Sequence, residues 1–340
     1  MWSALAFGWL AAPVHAQDLK TYQNYDFVPG DKIVFEDDFL ADPTGEFAPH
    51  WKLISGQAVV NTYHDRAAFM LIDGNYAKVE PRIKTEAYLS DPFTVEFDFY
   101  SHNGPDAYRG LMVFLKTAGQ EDKALNFTSE TSTGGLEHDL TGRYPGTNGP
   151  GDETAFIDRW HHGAIVYKTG QLKCYIDQYR VLVVPDFGAA PTAISFGGPS
   201  SADNPLGFNN VRIATGGGMN LIDKLAKDGR IVTHGILFDV NKSVVAPPSM
   251  GTISQIVKLL KDNPSLKLEV GGHTDADGDA AKNLALSQAR ADAVEKALVD
   301  AGIDAARLTT KGYGSTKPLD VNTTPEGKAN NRRVEFTKIG

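Results

Sequence analysis

Phe93-Thr94-Val95-Glu96-Phe97-Asp98-Phe99 alternates apolar and polar residues without a break. Successive side chains of an extended strand point to opposite faces, so Phe93, Val95, Phe97 and Phe99 share one face and Thr94, Glu96 and Asp98 the other. Working outward, shorter runs of the same kind lie at 57–62, 110–116, 162–168, 172–176 and 193–196, separated by Gly, Pro, Asn and Asp clusters. Asp177-Gln178-Tyr179-Arg180 reads as a tight hairpin turn between two of these runs. Hardly any helical period intervenes. The pattern predicts an all-β domain over residues 31–215, closed as a two-sheet sandwich.

Gly216-Gly217-Gly218 interrupts this rhythm, and residues 216–229 read as a glycine-rich hinge holding one or two helical turns over 219–225. Strand and helix then alternate. A strand is expected over 231–240, a helix over 249–261 stopped by Asn263-Pro264, and a strand over 266–271. A second helix is expected over 282–300, with Leu286, Val294, Ala297 and Leu298 inward and Gly302 as a left-handed cap. Strands over 307–311 and 333–337 complete an α/β two-layer sandwich of order β-α-β-α-β-β in residues 230–340. Two domains also suit 340 residues, more than one core usually fills.

The composition is globular, with 41% hydrophobic and 22% charged residues. Residues 1–229 carry 18 Lys and Arg against 29 Asp and Glu, and residues 230–340 carry 15 against 13. An acidic first part and a near-neutral second exclude a nucleic-acid binder. The single cysteine, Cys174, falls inside an expected strand and reads as a small buried hydrophobe. Ala4 to Ala12 is a short apolar run, and Val14-His15-Ala16 places small residues ahead of Gln17, so residues 1–16 read as a cleaved signal peptide lacking the usual basic start. Residues 17–30 then form a lead segment. Nothing later is long and apolar enough for a transmembrane helix, and the strands lack the pattern of a membrane barrel.

Within residues 235–336 the chain carries Leu237-Phe238-Asp239-Val240-Asn241-Lys242, Gly272-His273-Thr274-Asp275, Asn283, Leu286-Ser287, Arg290-Ala291, Gly312-Tyr313-Gly314, Pro318 and Asn331-Arg332-Arg333-Val334-Glu335. In this order and spacing the motifs resemble the OmpA C-terminal peptidoglycan-binding family. The resemblance implies a periplasmic, cell-wall and outer-membrane-associated protein of a Gram-negative envelope, whose partner is the diaminopimelate of the peptidoglycan stem peptide. It implies Asp275 as acceptor for the ligand's ammonium and Arg290 as the fork that grips its carboxylate. Phe238 and Asp239 would hold the rest of the stem peptide, and His273 and Thr274 would shape the loop. Independently, Asn283, Ser287 and Arg290 differ by four and three, so they share one helix face and are expected to converge on the ligand. Of Arg332 and Arg333, strand alternation lets one face the ligand, and Arg333 is the expected one. The bland alternative is that Asp275 and Arg290 form a structural ion pair. Asp275-Ala276-Asp277-Gly278-Asp279 imitates the start of a calcium loop, but Ala280 and Leu286 stand where glycine and a bidentate glutamate are required, so no metal or other cofactor is expected.

The first domain, with Glu36-Asp37-Asp38-Phe39 and Trp51, is loosely similar to the concanavalin A-like jelly roll. That resemblance implies binding of a glycan or an envelope protein, with a wall-anchored glycoside hydrolase as the alternative. Glu96 and Asp98 are the only tempting carboxylate pair for hydrolysis and more often mark the polar outer face of a sheet. His161 and His162, as strand neighbours, face opposite ways and would not share a metal. Tyr63, Tyr108, Tyr144 and Trp160 are candidates for stacking on sugars, and residues 131–153 for an exposed functional loop.

Overall fold

The computed structural model describes residues 25–102, 110–134, 136, 140–147, 154–216, 221–238 and 240–340. The expected signal peptide and the first part of the lead segment lie outside them. The β region opens with β1 (Lys32–Asp37), β2 (Trp51–Tyr63), β3 (Arg66–Pro81), β4 (Phe93–Ser101), β5 (Leu111–Lys116), β6 (Lys123–Phe127) and β7 (Glu130–Gly134). It continues with β8 (Thr141–Arg143), β9 (Arg159–Lys168), β10 (Gln171–Ile176), β11 (Tyr179–Val184), β12 (Ala193–Ser200) and β13 (Leu206–Thr215).

Two separate sheets were the expectation; the strands instead form one hydrogen-bonded sheet in the order β11-β10-β9-β4-β13-β3-β12-β5-β6-β7-β8, with β1 on β13 and β2 on β3. The cause lies in two long strands that change partners along their length. β3 pairs with β13 near Phe69 and with β12 near Val79. β13 pairs with β3 near Phe208 and with β1 from Val211 onward. Its ladder to β4 breaks between Asn209 and Arg212, where Asn210 adopts φ 48°. Such a bulge bends the strand, so the ladder continues around a corner and the sheet folds over its own core. Its two ends meet where Gly142 of β8 lies against β11, since a Cβ there would stand 1.6 Å from the Val181 carbonyl oxygen. The result is near to a closed barrel.

The apolar face of β4 enters that core as its alternation predicts, with Phe97 edge-on to Phe127 at 4.9 Å and to Phe196 at 5.4 Å. Trp51 is wholly buried and donates its indole N–H to Asp37 at 2.9 Å. The hairpin expected at 177–180 is present, with Asp177 at φ 51° between β10 and β11. The other face of β4 departs from expectation: all nine residues of the strand are buried. Elements from outside the sheet cover it. Tyr25 and Phe27 of the lead segment pack edge-on against Tyr175 of β10, and the same apolar cluster takes in Ala164 and Val166 of β9 together with Ile253, Ile256 and Leu260 of the second region.

That second region comprises α1 (Leu221–Asp228), β14 (Arg230–Thr233), α2 (Met250–Asp262), β15 (Leu268–His273), α3 (Ala280–Asp300), β16 (Leu308–Gly314), α4 (Pro325–Asn331) and β17 (Val334–Lys338). Its sheet runs β14-β17-β15-β16, with β15 and β16 parallel and the other pairs antiparallel. The helical turns expected within 216–229 are present as α1, seated by Leu221 and Leu225 and by the pair Lys224–Asp31. Two expectations need correction. The strand expected over 231–240 stops at Thr233, because Gly235 is wedged so tightly that a Cβ would lie 2.3 Å from Thr252 and 2.5 Å from Pro29. An additional helix, α4, separates the last two strands. Its signal stood in the sequence: Thr324 accepts from Gly327 N–H as an N-cap and Pro325 follows at the first helical position.

Candidate ligand groove

Two glycine contacts set the groove's geometry. A Cβ on Gly272 of β15 would meet the Ser287 carbonyl oxygen at 2.1 Å, and one on Gly312 of β16 would meet the Gln288 nitrogen at 2.5 Å. Glycine at both positions lets α3 lie flush on the sheet, which brings its N-terminal half over the C-terminal ends of the two strands. The acidic loop between β15 and α3 is tied down by its own polar groups. Asp279 caps α3 by accepting from Lys282 N–H, Asn283 donates to the Asp277 carbonyl at 2.8 Å, and Asp277 pairs with Lys328.

Asp275 sits at the mouth of this loop, with its side chain 15% exposed. Its carboxylate accepts from the Asp277 amide at 3.1 Å and from Arg332 at 2.9 Å. Arg290 projects from α3 toward the same place, donating to the Lys242 carbonyl at 3.0 Å and lying over the Phe238 ring at 4.9 Å. Burial and the neighbouring Arg332 lower its pKa, while the nearby Asp275 charge opposes them. Phe238 is half-buried and held by a bridge to Val245. Asn283 also donates to the Asp275 carbonyl at 3.4 Å, so Asp275, Asn283, Arg290 and Phe238 are gathered in one place. Asp239 lies outside the described residues.

Other expected site residues face inward. Ser287 is fully buried, donates to the Leu284 carbonyl at 2.8 Å and accepts from Gly314 N–H at 2.8 Å, so it locks α3 to β16. His273 is buried and stacked on Tyr313 at 4.9 Å; burial first, then the Arg333 charge, hold its pKa down to about 4. Thr274 is buried and donates to the Asp275 carbonyl at 2.8 Å. Arg333 is 5% exposed and fully engaged by Glu335 at 2.7 Å and the Lys317 carbonyl at 3.0 Å. Arg333, expected at the ligand, is thus turned inward, and Arg332 is the arginine that reaches Asp275. Strand β17 begins one residue later than expected, and Arg332 terminates α4. Recognising the Thr324-Pro325 cap would have placed it there.

Glu96 and Asp98 are buried. His162 lies between them, at 2.8 Å from Asp98 and 3.7 Å from Glu96. Asp98 also accepts from Arg66 at 3.1 Å and Asn210 at 2.8 Å, and Glu96 neighbours Arg212 at 3.8 Å. Burial by itself would lower the His162 pKa; the bonds to Asp98 and Glu96 outweigh it and push the value to about 10. The two carboxylates are thus drawn into ion pairs with His162, Arg66 and Arg212. His161 does face the opposite way, toward Asp177 at 2.8 Å and the Phe156 carbonyl at 2.6 Å. Tyr144 is core, bonded to Asp177; Tyr63 and Trp160 pack on Tyr100, with Arg66 over the Trp160 ring; Tyr108 falls outside the described residues. Within 131–153, β7 and β8 take up much of the described chain, so this stretch is partly sheet.

The OmpA family model matches residues 237–332. The chain is 40% identical over 104 residues to the probable lipoprotein YiaD of Escherichia coli, a match covering 31% of this chain and 48% of that protein. It is 36% identical over 106 residues to the peptidoglycan-binding protein ArfA of Mycobacterium bovis, covering 31% of this chain and 32% of that protein. The chain therefore spans less than half the length of these relatives. Among solved structures, the peptidoglycan-associated lipoprotein of Burkholderia pseudomallei is 30% identical, covering 31% of this chain and 88% of its own, with a TM-score of 0.29. Residues 237–332 of this chain are an OmpA family domain.

Proposed function

We propose that the domain at 230–340 binds peptidoglycan through the diaminopimelate of its stem peptide and thereby tethers the β domain within a Gram-negative envelope. The observation that carries this reading is that Asp275 and Arg290, one anion and one cation from different elements, lie within electrostatic reach of each other. Such a pair complements a ligand end bearing both an ammonium and a carboxylate, and a guanidinium suits the carboxylate because two parallel N–H groups match its two oxygens. Phe238 supplies an apolar wall beside them, and the kinship to a peptidoglycan-binding protein points the same way. The β domain is the tethered cargo, and a glycan or envelope protein remains its expected partner.

The test is co-sedimentation of the full chain with sacculi of the diaminopimelate type. Wild type should pellet with the wall. Folded Asp275→Ala and Arg290→Ala should each lose at least about tenfold in affinity, the scale of one charge-assisted hydrogen-bonded contact. Walls with lysine in the stem, which lack the carboxylate, should retain little wild type. Equal retention of all three proteins would refute the assignment.

A further inference from the structure

Strand β1 delivers Glu36 to the boundary between the two regions, where its two carboxylate oxygens serve different partners. One accepts from Arg212 Nε and Nη2 at 3.1 and 2.8 Å. The other accepts from Arg332, whose second nitrogen holds Asp275. One guanidinium therefore separates a carboxylate of the β domain from the carboxylate of the groove. We propose that the β domain completes the groove: Glu36 positions Arg332 and balances its charge, so that preference for a ligand with an ammonium beside its carboxylate is set in part from the neighbouring domain. This rests on the peptidoglycan reading above.

The charges near Asp275 carry the argument. Arg332 touches it and Arg290 lies within electrostatic reach, while the nearby Asp277 is paired with Lys328, so these three groups taken alone carry an excess positive charge that disfavours an incoming ammonium. Glu36 offsets that excess from a position 19% exposed, where solvent and salt screen it poorly. Behind it Arg212 is itself shared with Glu96, and His162, Asp98 and Arg66 continue the alternation, so the excess is not simply passed to Arg212. Geometry adds a second effect. A guanidinium fixed at both ends is held to one oxygen of Asp275, and a carboxylate has further acceptor lone pairs for an ammonium. Asn330 keeps the two domains in register here, exchanging hydrogen bonds with Ile33 at 2.8 and 3.0 Å.

The experiment titrates the full chain with meso-diaminopimelate and, separately, with pimelate, the same carbon chain without ammonium groups. Wild type should prefer diaminopimelate. Glu36→Gln should lower the ratio of the two affinities by about tenfold, the effect of one unit charge about 10 Å away in a half-solvated site. A merely structural role would weaken both ligands together and leave the ratio unmoved, which overturns the proposal, as does a ratio equal to that of wild type. Should Glu36→Gln not fold because Arg212 is left buried beside too little negative charge, Glu36→Asp keeps the charge beside Arg212 but draws it back from Arg332 and should lower the ratio in the same direction, an unmoved ratio overturning the proposal. A wild type that takes up neither ligand removes the peptidoglycan reading itself, whereas normal wild-type selectivity with an unchanged variant removes this inference alone.

Discussion

Replacing His162 by glutamine should change both the stability of the protein and its dependence on pH. The imidazole is buried between Asp98 and Glu96, which raise its pKa from 6.5 to about 10 against the opposing effect of burial. A basic group with a raised folded-state pKa stabilises the fold fully below its unfolded value and loses that contribution as pH climbs to the folded value. Wild type should therefore lose stability between pH 6.5 and 10 at up to about 1.4 kcal/mol per pH unit, or about 2 kcal/mol by pH 8. Glutamine removes this slope. It also leaves Glu96 and Asp98 on one buried strand face without the cation between them, at a cost toward the lower end of about 3 to 5 kcal/mol, because Arg66 and Asn210 still hold Asp98. Urea unfolding of both proteins at several pH values from 6 to 10 measures slope and offset together. The difference should be largest near pH 6 and shrink steadily toward pH 10. A difference constant across the range would show that His162 is neutral in the fold and refute the ion-pair account.

Gly272→Ala should lower the melting temperature markedly and weaken wall binding with it, since a Cβ 2.1 Å from the Ser287 carbonyl forces α3 off the sheet at a cost of at least about 1 to 3 kcal/mol; an unchanged melting temperature would count against the flush packing. Arg307→Ala removes the donor that satisfies the Leu260, Asn263 and Leu266 carbonyls at 2.8 to 3.0 Å. It should cost about 1 to 3 kcal/mol. Amide exchange should quicken at the C-terminal turn of α2, and protection equal to wild type there would refute the role.

The sequence by itself determined the elements whose periodicity is local. The alternation of 93–99 placed the phenylalanines of β4 in a core, the glycine after α3 marked its end at Gly302 with φ 89°, and the 177–180 turn was set by its own residues. The OmpA motifs were legible because their order and spacing are linear properties, and they carried Asp275 and Arg290 with them. Tertiary structure decided what depends on neighbours remote in the chain. Ser287 shares a helix face with Arg290, yet the sheet lies beneath that position and buries it, because a helix resting on glycines turns part of a polar face inward. Arg332, and not Arg333, reaches Asp275 because α4 fixes where the last strand begins. The polar face of β4 read as solvated and is instead sealed beneath the lead segment and the second region, and Glu36 reaches Arg332 only through that docking. No periodicity in a single chain segment encodes a contact between two folded surfaces, since the energy that selects it is that of burying both at once.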